Sequence, residues 1–93
     1  MKNIFFYAYG ESKNDAKEQF EKMEKWSNQN GYNVTGLYCD FMCIRDDLWI
    51  LLDRVKSGDC DKVLVINKDR LGSVFCRLLK KYGCDIKEVE EIC

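Results

Sequence analysis

The feature that most constrains the fold is a short apolar run, Val63–Ile66, that is followed closely by charged residues. A continuous, β-branched-rich run of this length is typical of a strand buried on both faces of a parallel sheet. Asp69, Arg70 and Gly72 come soon after it. Open α/β sheets hold their ligands at the carboxyl ends of strands, so this segment is a candidate site. The alternative is a surface loop with an ordinary ion pair.

The rest of the chain alternates between strand patterns and helix patterns. Four segments have the apolar pattern of strands, the last of them weak: 3–9, 32–39, 62–67 and 86–89. Three segments repeat apolar residues at steps of three and four, which is typical of a helix with one buried face: 13–30, 46–56 and 74–82. Glycines follow the first and third of these predicted helices, where they favour a helix end.

This β-α-β-α-β-α-β alternation predicts a three-layer α/β fold with a parallel sheet and helices on both faces. Right-handed crossovers and short connections give the strand order 2-1-3-4. Ninety-three residues make a single domain, 1–93. Chain order reverses between the first and third strands, so one pocket is expected at their carboxyl ends. The polar residues expected to line it are Glu11, Ser12, Arg45, Asp69 and Arg70.

Charge and hydropathy narrow the class of protein. The net charge of −1 gives no global electrostatic attraction for nucleic acid, although a local basic patch is still compatible with it. No apolar run approaches the roughly 20 residues of a membrane span. The first residues lack the long apolar core and small-residue cleavage site of a secretory signal. We therefore expect a cytoplasmic protein that does not bind membranes.

The chain has six cysteines and no histidine. No pair has the Cys-x-x-Cys spacing of common zinc sites, and the closest pair is Cys39 and Cys43. Free cytosolic thiols are the favoured interpretation, with a metal site as the alternative. We expect no metal and no cofactor.

Five stretches together resemble the N-terminal catalytic domain of the serine recombinases, the resolvase/invertase family. They are Tyr7-Ala8, Gln19-Phe20-x-x-Met23-x-x-Trp26, Asp40, Arg45-x-x-Leu48-x-x-Leu51-Leu52 and Val63–Gly72. The resemblance covers nearly the whole chain in register. It implies a resolvase-like fold and a family chemistry in which a serine attacks a DNA phosphodiester while arginines neutralise the phosphate. It assigns phosphate binding to Arg45 and Arg70 and a supporting role to Asp69.

The sequence departs from the family pattern at the residues that carry the chemistry. Tyr9 and Ser73 stand at two arginine positions, and Glu11 stands at the nucleophile position. Counting back from the first helix instead places Gly10 there. Ser12 is the candidate catalytic serine if the loop shifts by one residue. The alternative role of Ser12 is to cap the following helix, and this role needs no shift.

These departures predict a recombinase-like domain that has lost catalysis and acts by binding a protein or nucleic acid, as a remnant or regulator derived from a mobile element or phage. Its expected partners are a recombinase or another protein, weakly bound DNA, or a second copy of the chain. We expect no C-terminal DNA-binding domain. The alternative is a residual serine recombinase that forms phosphoseryl–DNA links through Ser12. A plain anion-binding α/β domain is disfavoured because no phosphate-cradling glycine loop is present.

Overall fold

The computed structural model describes residues 3–41 and 44–89, with the side chain of Arg70 left out. In this part the strands are β1 (Asn3–Gly10), β2 (Asn33–Phe41), β3 (Lys62–Val65) and β4 (Asp85–Glu88). The helices are α1 (Lys13–Asn30), α2 (Asp46–Lys56), α3 (Lys68–Leu71) and α4 (Ser73–Lys81).

The four strands form one parallel sheet in the order β2-β1-β3-β4. This confirms the predicted fold class and the predicted strand order. β1 lies in the interior of the sheet, paired with β2 on one side and β3 on the other. Its residues Ile4–Ala8 are all buried, as expected for a strand covered on both faces.

Alternate residues of β1 face two separate apolar layers. Ile4 and Phe6 pack in the layer that contains the buried residues of α1. Phe5 and Tyr7 pack in the layer that contains the buried residues of α2, α3 and α4. Since side chains alternate across a strand, these two layers place α1 on one face of the sheet and the other helices on the opposite face.

The start and end of α1 follow the sequence signals. The Ser12 side chain accepts a hydrogen bond from the Asp15 backbone N–H, and this caps the helix. Gly31 ends the helix with a φ of 70°, a left-handed conformation that glycine adopts without a Cβ clash. Just past this end, Tyr32 stacks on Trp26 with the ring centroids 5.2 Å apart.

The segment after β3 differs from the expected loop. Residues 68–71 form the short helix α3, because the Asn67 side chain accepts a 2.8 Å hydrogen bond from the Asp69 backbone N–H. Leu71 is fully buried and fixes this turn to the core. The strand patterns were also imprecise at their ends, since β2 continues to Phe41 and β3 stops at Val65.

Among the helices of residues 3–41 and 44–89, none has the length and apolar character needed to cross a bilayer.

Candidate functional site

The observed topology brings the predicted site residues to one edge of the sheet. Glu11 and Ser12 follow β1, Arg45 follows β2, and Asp69 follows β3. These three strands are parallel and adjacent, so their carboxyl ends lie side by side. We call this the carboxyl edge. It is the edge at which open α/β sheets hold ligands.

Ser12 and Glu11 are both exposed at the turn between β1 and α1. The Ser12 Oγ accepts from the Asp15 N–H over 3.2 Å, and Asp15 Oδ2 accepts from the Glu11 N–H over the same distance. A Cβ at Gly10 would clash with the Asp15 carboxylate, so the missing side chain leaves room for Asp15 at this turn. The structure therefore shows the capping role of Ser12. Its catalytic role and the supporting role of Glu11 stay predictions.

Asp40 connects β1, β2 and α2 at this edge. Its side chain is 3% exposed and accepts three hydrogen bonds. The donors are the Tyr7 hydroxyl at 2.9 Å and the backbone N–H groups of Asp47 and Leu48 at 3.0 and 3.1 Å. The residue at the start of α2, Arg45, makes no side-chain cap of its own. Asp40 thus caps α2 from the neighbouring strand, where a carboxylate also complements the helix dipole.

Arg45 packs against two tyrosines of β1. Its Nη1 donates to the Tyr7 hydroxyl over 3.2 Å, and its Cζ lies 4.2 Å from the centroid of the Tyr9 ring. A guanidinium over an aromatic face at this distance forms a cation–π contact. Tyr9 stands at one of the positions where the family resemblance calls for arginine. Aromatic side chains therefore form part of the surroundings of Arg45. Phosphate binding by Arg45 stays a prediction.

Tyr7 lies at the centre of this polar network and is 1% exposed. Burial raises the pKa of its hydroxyl well above the ordinary tyrosine range, and the hydrogen bond to Asp40 raises it further. The hydrogen bond with Arg45 acts in the opposite direction and lowers the pKa, but it does not offset the other two causes. Tyr7 is therefore a neutral hydroxyl at physiological pH, and its O–H donates a hydrogen bond to Asp40.

The third part of the edge is the segment from α3 to α4. Asp69 is exposed in α3, and the side chain of Arg70 lies outside the described residues, so its phosphate-binding role stays a prediction. Ser73 is exposed at the first position of α4. A cleft of about 580 Å³ runs between the two helices. Its lining residues are Lys68, Asp69, Gly72, Ser73, Cys76, Arg77 and Lys80.

The cysteines offer no metal centre in residues 3–41 and 44–89. No group of three or more His, Cys, Asp or Glu side chains there could hold an ion. Cys39 is half-buried, and burial raises the pKa of its thiol, with the nearby carboxylates of Asp47 and Asp40 adding to the effect. A raised pKa disfavours the thiolate that binds metals. The predicted alternative partner, Cys43, lies outside the described residues.

Sequence reasoning missed two features of the edge: the cap from Asp40 to α2 and the contact between Arg45 and Tyr9. A buried acid at a strand end, six residues before two consecutive helix-starting acids, was the available signal for the first. The second had no sequence signal, because it depends on which way the Arg45 side chain turns.

Solved structures with the same fold are serine recombinase catalytic domains. The C-terminal catalytic domain of ISC1926 TnpA, an IS607-like serine recombinase, matches with a TM-score of 0.84 and 26% identity over 94% of this chain and 69% of that one. The N-terminal catalytic domain of TP901-1 integrase matches with a TM-score of 0.82 and 20% identity over 97% of this chain and 78% of that one. A resolvase family site-specific recombinase from Streptococcus pneumoniae matches with a TM-score of 0.82 and 18% identity over 98% of this chain and 74% of that one.

No protein-family model matches the sequence, and no curated protein sequence matches it. The structural matches confirm the resemblance that the five sequence stretches indicated.

Proposed function

We propose that this chain, which has the fold of a serine recombinase catalytic domain, does not catalyse strand cleavage and acts by binding another protein. The observation that carries the first half is the packing of Arg45 on Tyr9. By the family resemblance, this ring replaces a second guanidinium that would help to neutralise a phosphate. A tyrosine ring offers no charge-assisted hydrogen bonds to phosphate oxygens, whereas a guanidinium offers a bidentate pair.

Charge at the β1–α1 turn supports the same conclusion. Glu11 is exposed. Counted along the family pattern from Tyr7-Ala8, it stands at the position of the attacking hydroxyl, where its charge would repel a phosphodiester. Removing one preorganised charge-stabilising donor typically costs about 10²–10³ in rate, and Tyr9 and Ser73 remove two. Such losses need not multiply, because residues that act as a unit are non-additive. The loss of either guanidinium group alone would leave little activity.

The second half rests on apolar side chains of α2 and α4, which we call the α2–α4 patch and define by the contacting pair Trp49 and Phe75 and by Val74, the chain neighbour of Phe75. Trp49 is 56% exposed and Val74 is 62% exposed. Phe75 holds the Trp49 ring in an edge-to-face contact with the centroids 5.0 Å apart. An exposed tryptophan in contact with another aromatic ring has the composition of a protein-binding hot spot.

Catalysis is tested with supercoiled and nicked plasmid DNA, with and without Mg²⁺, followed by denaturation and a search for a covalent DNA–protein adduct. We expect no adduct. The residual-recombinase alternative predicts an adduct that disappears in Ser12→Ala, and this outcome would make Ser12 the nucleophile. A DNA mobility shift that weakens steeply with salt, without an adduct, would instead assign the binding function to nucleic acid.

Binding is tested by light scattering and sedimentation under reducing conditions, alone and with a serine recombinase catalytic domain added. We expect a homodimer or a complex, weakened about tenfold or more in Trp49→Ser. Leu37→Ser is the matched control, because Leu37 is 61% exposed on the edge strand β2, away from the patch. A monomer near 11.0 kDa at high concentration, with no complex, contradicts the binding proposal.

A further inference from the structure

Two thiols meet at the amino ends of β3 and β4, the end of the sheet opposite the carboxyl edge. Cys60 lies two residues before β3, and Cys84 lies directly before β4. The two side chains belong to one buried cluster and lie close enough for each thiol to shift the pKa of the other. Cys60 Sγ also lies 2.9 Å from the Lys62 carbonyl oxygen. Sequence reasoning did not indicate this pair, because the two residues are far apart along the chain.

The backbone around the pair is that of two adjacent parallel strands. Lys62 is in register with Asp85, and the Asp85 N–H donates to the Asp61 carbonyl over 3.2 Å. Extended by one residue, this register places Cys84 opposite Asp61, the chain neighbour of Cys60, at the strand spacing of about 4.7–4.9 Å. Because the residues that follow the two cysteines are hydrogen-bonded to each other and both thiols lie in one buried cluster, a bond between them would tie together segments that the sheet already holds side by side.

The two thiols differ in chemistry. The neighbouring Cys84 side chain lowers the pKa of the Cys60 thiol, despite the opposing effect of burial. The same contact raises the pKa of Cys84, and burial adds to the rise. Cys60 is 8% exposed and Cys84 is 1% exposed. Since the thiolate is the reactive form, Cys60 is the thiol that reacts with an oxidant first. Cys84 is then placed to react with the oxidised Cys60 sulfur.

We infer that Cys60 and Cys84 are an oxidative modification site, which a peroxide converts into a disulfide bond that fastens β4 to β3. In the first step the Cys60 thiolate attacks hydrogen peroxide, its sulfur is oxidised to a sulfenic acid, and the leaving hydroxide takes up the thiol proton as water. In the second step the Cys84 sulfur attacks the sulfenic sulfur, the S–S bond forms, and a second water leaves. One peroxide thus oxidises two thiols and yields two waters.

The other thiols of the described part are poorer targets. Burial raises the pKa of both Cys39 and Cys76, and neither is hydrogen-bonded to a second cysteine. The cationic groups of Lys68 and Lys80 lower the pKa of Cys76, but they do not cancel the effect of burial. Oxidation of the folded protein should therefore be selective for Cys60 and Cys84.

The sequence makes the test direct. Trypsin cleavage after Lys56, Lys62, Lys81 and Lys87 leaves Cys60 and Cys84 as single cysteines in the peptides 57–62 and 82–87. The folded, reduced chain is treated with about one equivalent of hydrogen peroxide, blocked with a maleimide and digested without reductant. We expect a peptide pair joined by a disulfide, two hydrogens lighter than the sum of the free peptides. Reductant should split it into its two components.

Variants and a stability measurement complete the test. Cys84→Ser and Cys60→Ser should each abolish the joined pair, and the control Cys76→Ser should retain it. The oxidised wild type should melt about 10 °C higher than the reduced form, because the bond closes a long loop. The inference is overturned if the peroxide leaves peptides 57–62 and 82–87 unjoined, if other cysteines are joined as readily, or if oxidation fails to raise the Tm.

Discussion

Asp40 offers the sharpest test of how the carboxyl edge is held together. Its buried carboxylate accepts from the Tyr7 hydroxyl and from the first backbone N–H groups of α2, over 2.9–3.1 Å. The substitution Asp40→Ala removes all three acceptor contacts at once. It leaves the N–H groups of Asp47 and Leu48 without their cap and the Tyr7 hydroxyl without its acceptor.

The size of the effect follows from these contacts. A hydrogen bond to a charged group contributes about 1.5–3 kcal/mol to stability, and a buried donor left without a partner costs about 1–3 kcal/mol. Water can reach the partly buried N–H of Asp47, so the full sum is not expected. We expect Asp40→Ala to lower the free energy of unfolding by about 3–5 kcal/mol. A domain of this length has about 5–14 kcal/mol in total, so much of its stability would be lost.

Urea denaturation followed by far-ultraviolet circular dichroism and tryptophan fluorescence measures this change. Asp46→Ala is the matched control, because Asp46 is an exposed acid in the first turn of the same helix. It should cost no more than about 1 kcal/mol through the helix dipole. Asp40→Asn should lie between the two, since the amide oxygen still accepts. A loss in Asp40→Ala within about 0.5 kcal/mol of that in Asp46→Ala would refute the cap.

Two further predictions concern Tyr7 and Gly36. Below pH about 10 the Tyr7 hydroxyl is neutral in the folded and in the unfolded chain. Just above this pH it ionises only in the unfolded chain, because folding raises its pKa. Wild-type stability should therefore fall with rising pH more steeply than that of Tyr7→Phe, by up to about 1.4 kcal/mol per unit, and parallel profiles would contradict this. A Cβ on Gly36 would lie 2.7 Å from the Tyr38 ring and 2.8 Å from the Phe5 ring. Gly36→Ala should cost about 1–3 kcal/mol in urea denaturation, and a cost below 0.5 kcal/mol would count against the close packing.

The fold could be predicted because its signals are local and mutually consistent. The continuous run Val63–Ile66 and the buried run at the start of the chain identify interior strands. Helical periodicity between them leaves parallel pairing with crossovers as the compatible arrangement. The cap at Ser12 and the stop at Gly31 then set the limits of α1, as the structure shows.

The short helix α3 was missed because its signal was interpreted as a break. Two charges and a glycine after a strand are typical of a loop. Asn67, however, is a strong helix cap, and Leu71 supplies one buried anchor for a single turn. A helix of this length has no periodicity to detect, so only the cap could have indicated it.

The location of the candidate site could be predicted from sequence, but the side-chain contacts within it could not. Topology places Ser12 and Arg45 at the same edge, and strand order is enough to predict this. The stacking of Arg45 on Tyr9 depends on side-chain rotation and on the exact approach of two elements. The meeting of Cys60 and Cys84 likewise depends on the register of β3 against β4, which sequence spacing does not reveal.

The interior position of β1 also has a consequence for how the chain folds during synthesis. Among the described strands β1 is synthesised before its partners, and one of these, β3, begins only at Lys62. Until that segment leaves the ribosome, the run Ile4–Ala8 cannot pair with a strand along both of its edges. An uncharged segment of this kind is prone to intermolecular β-pairing while it waits. Nascent chains of this protein should therefore depend on the pairing of β1 with β2, and on chaperones, for longer than a fold that places its first strand at an edge.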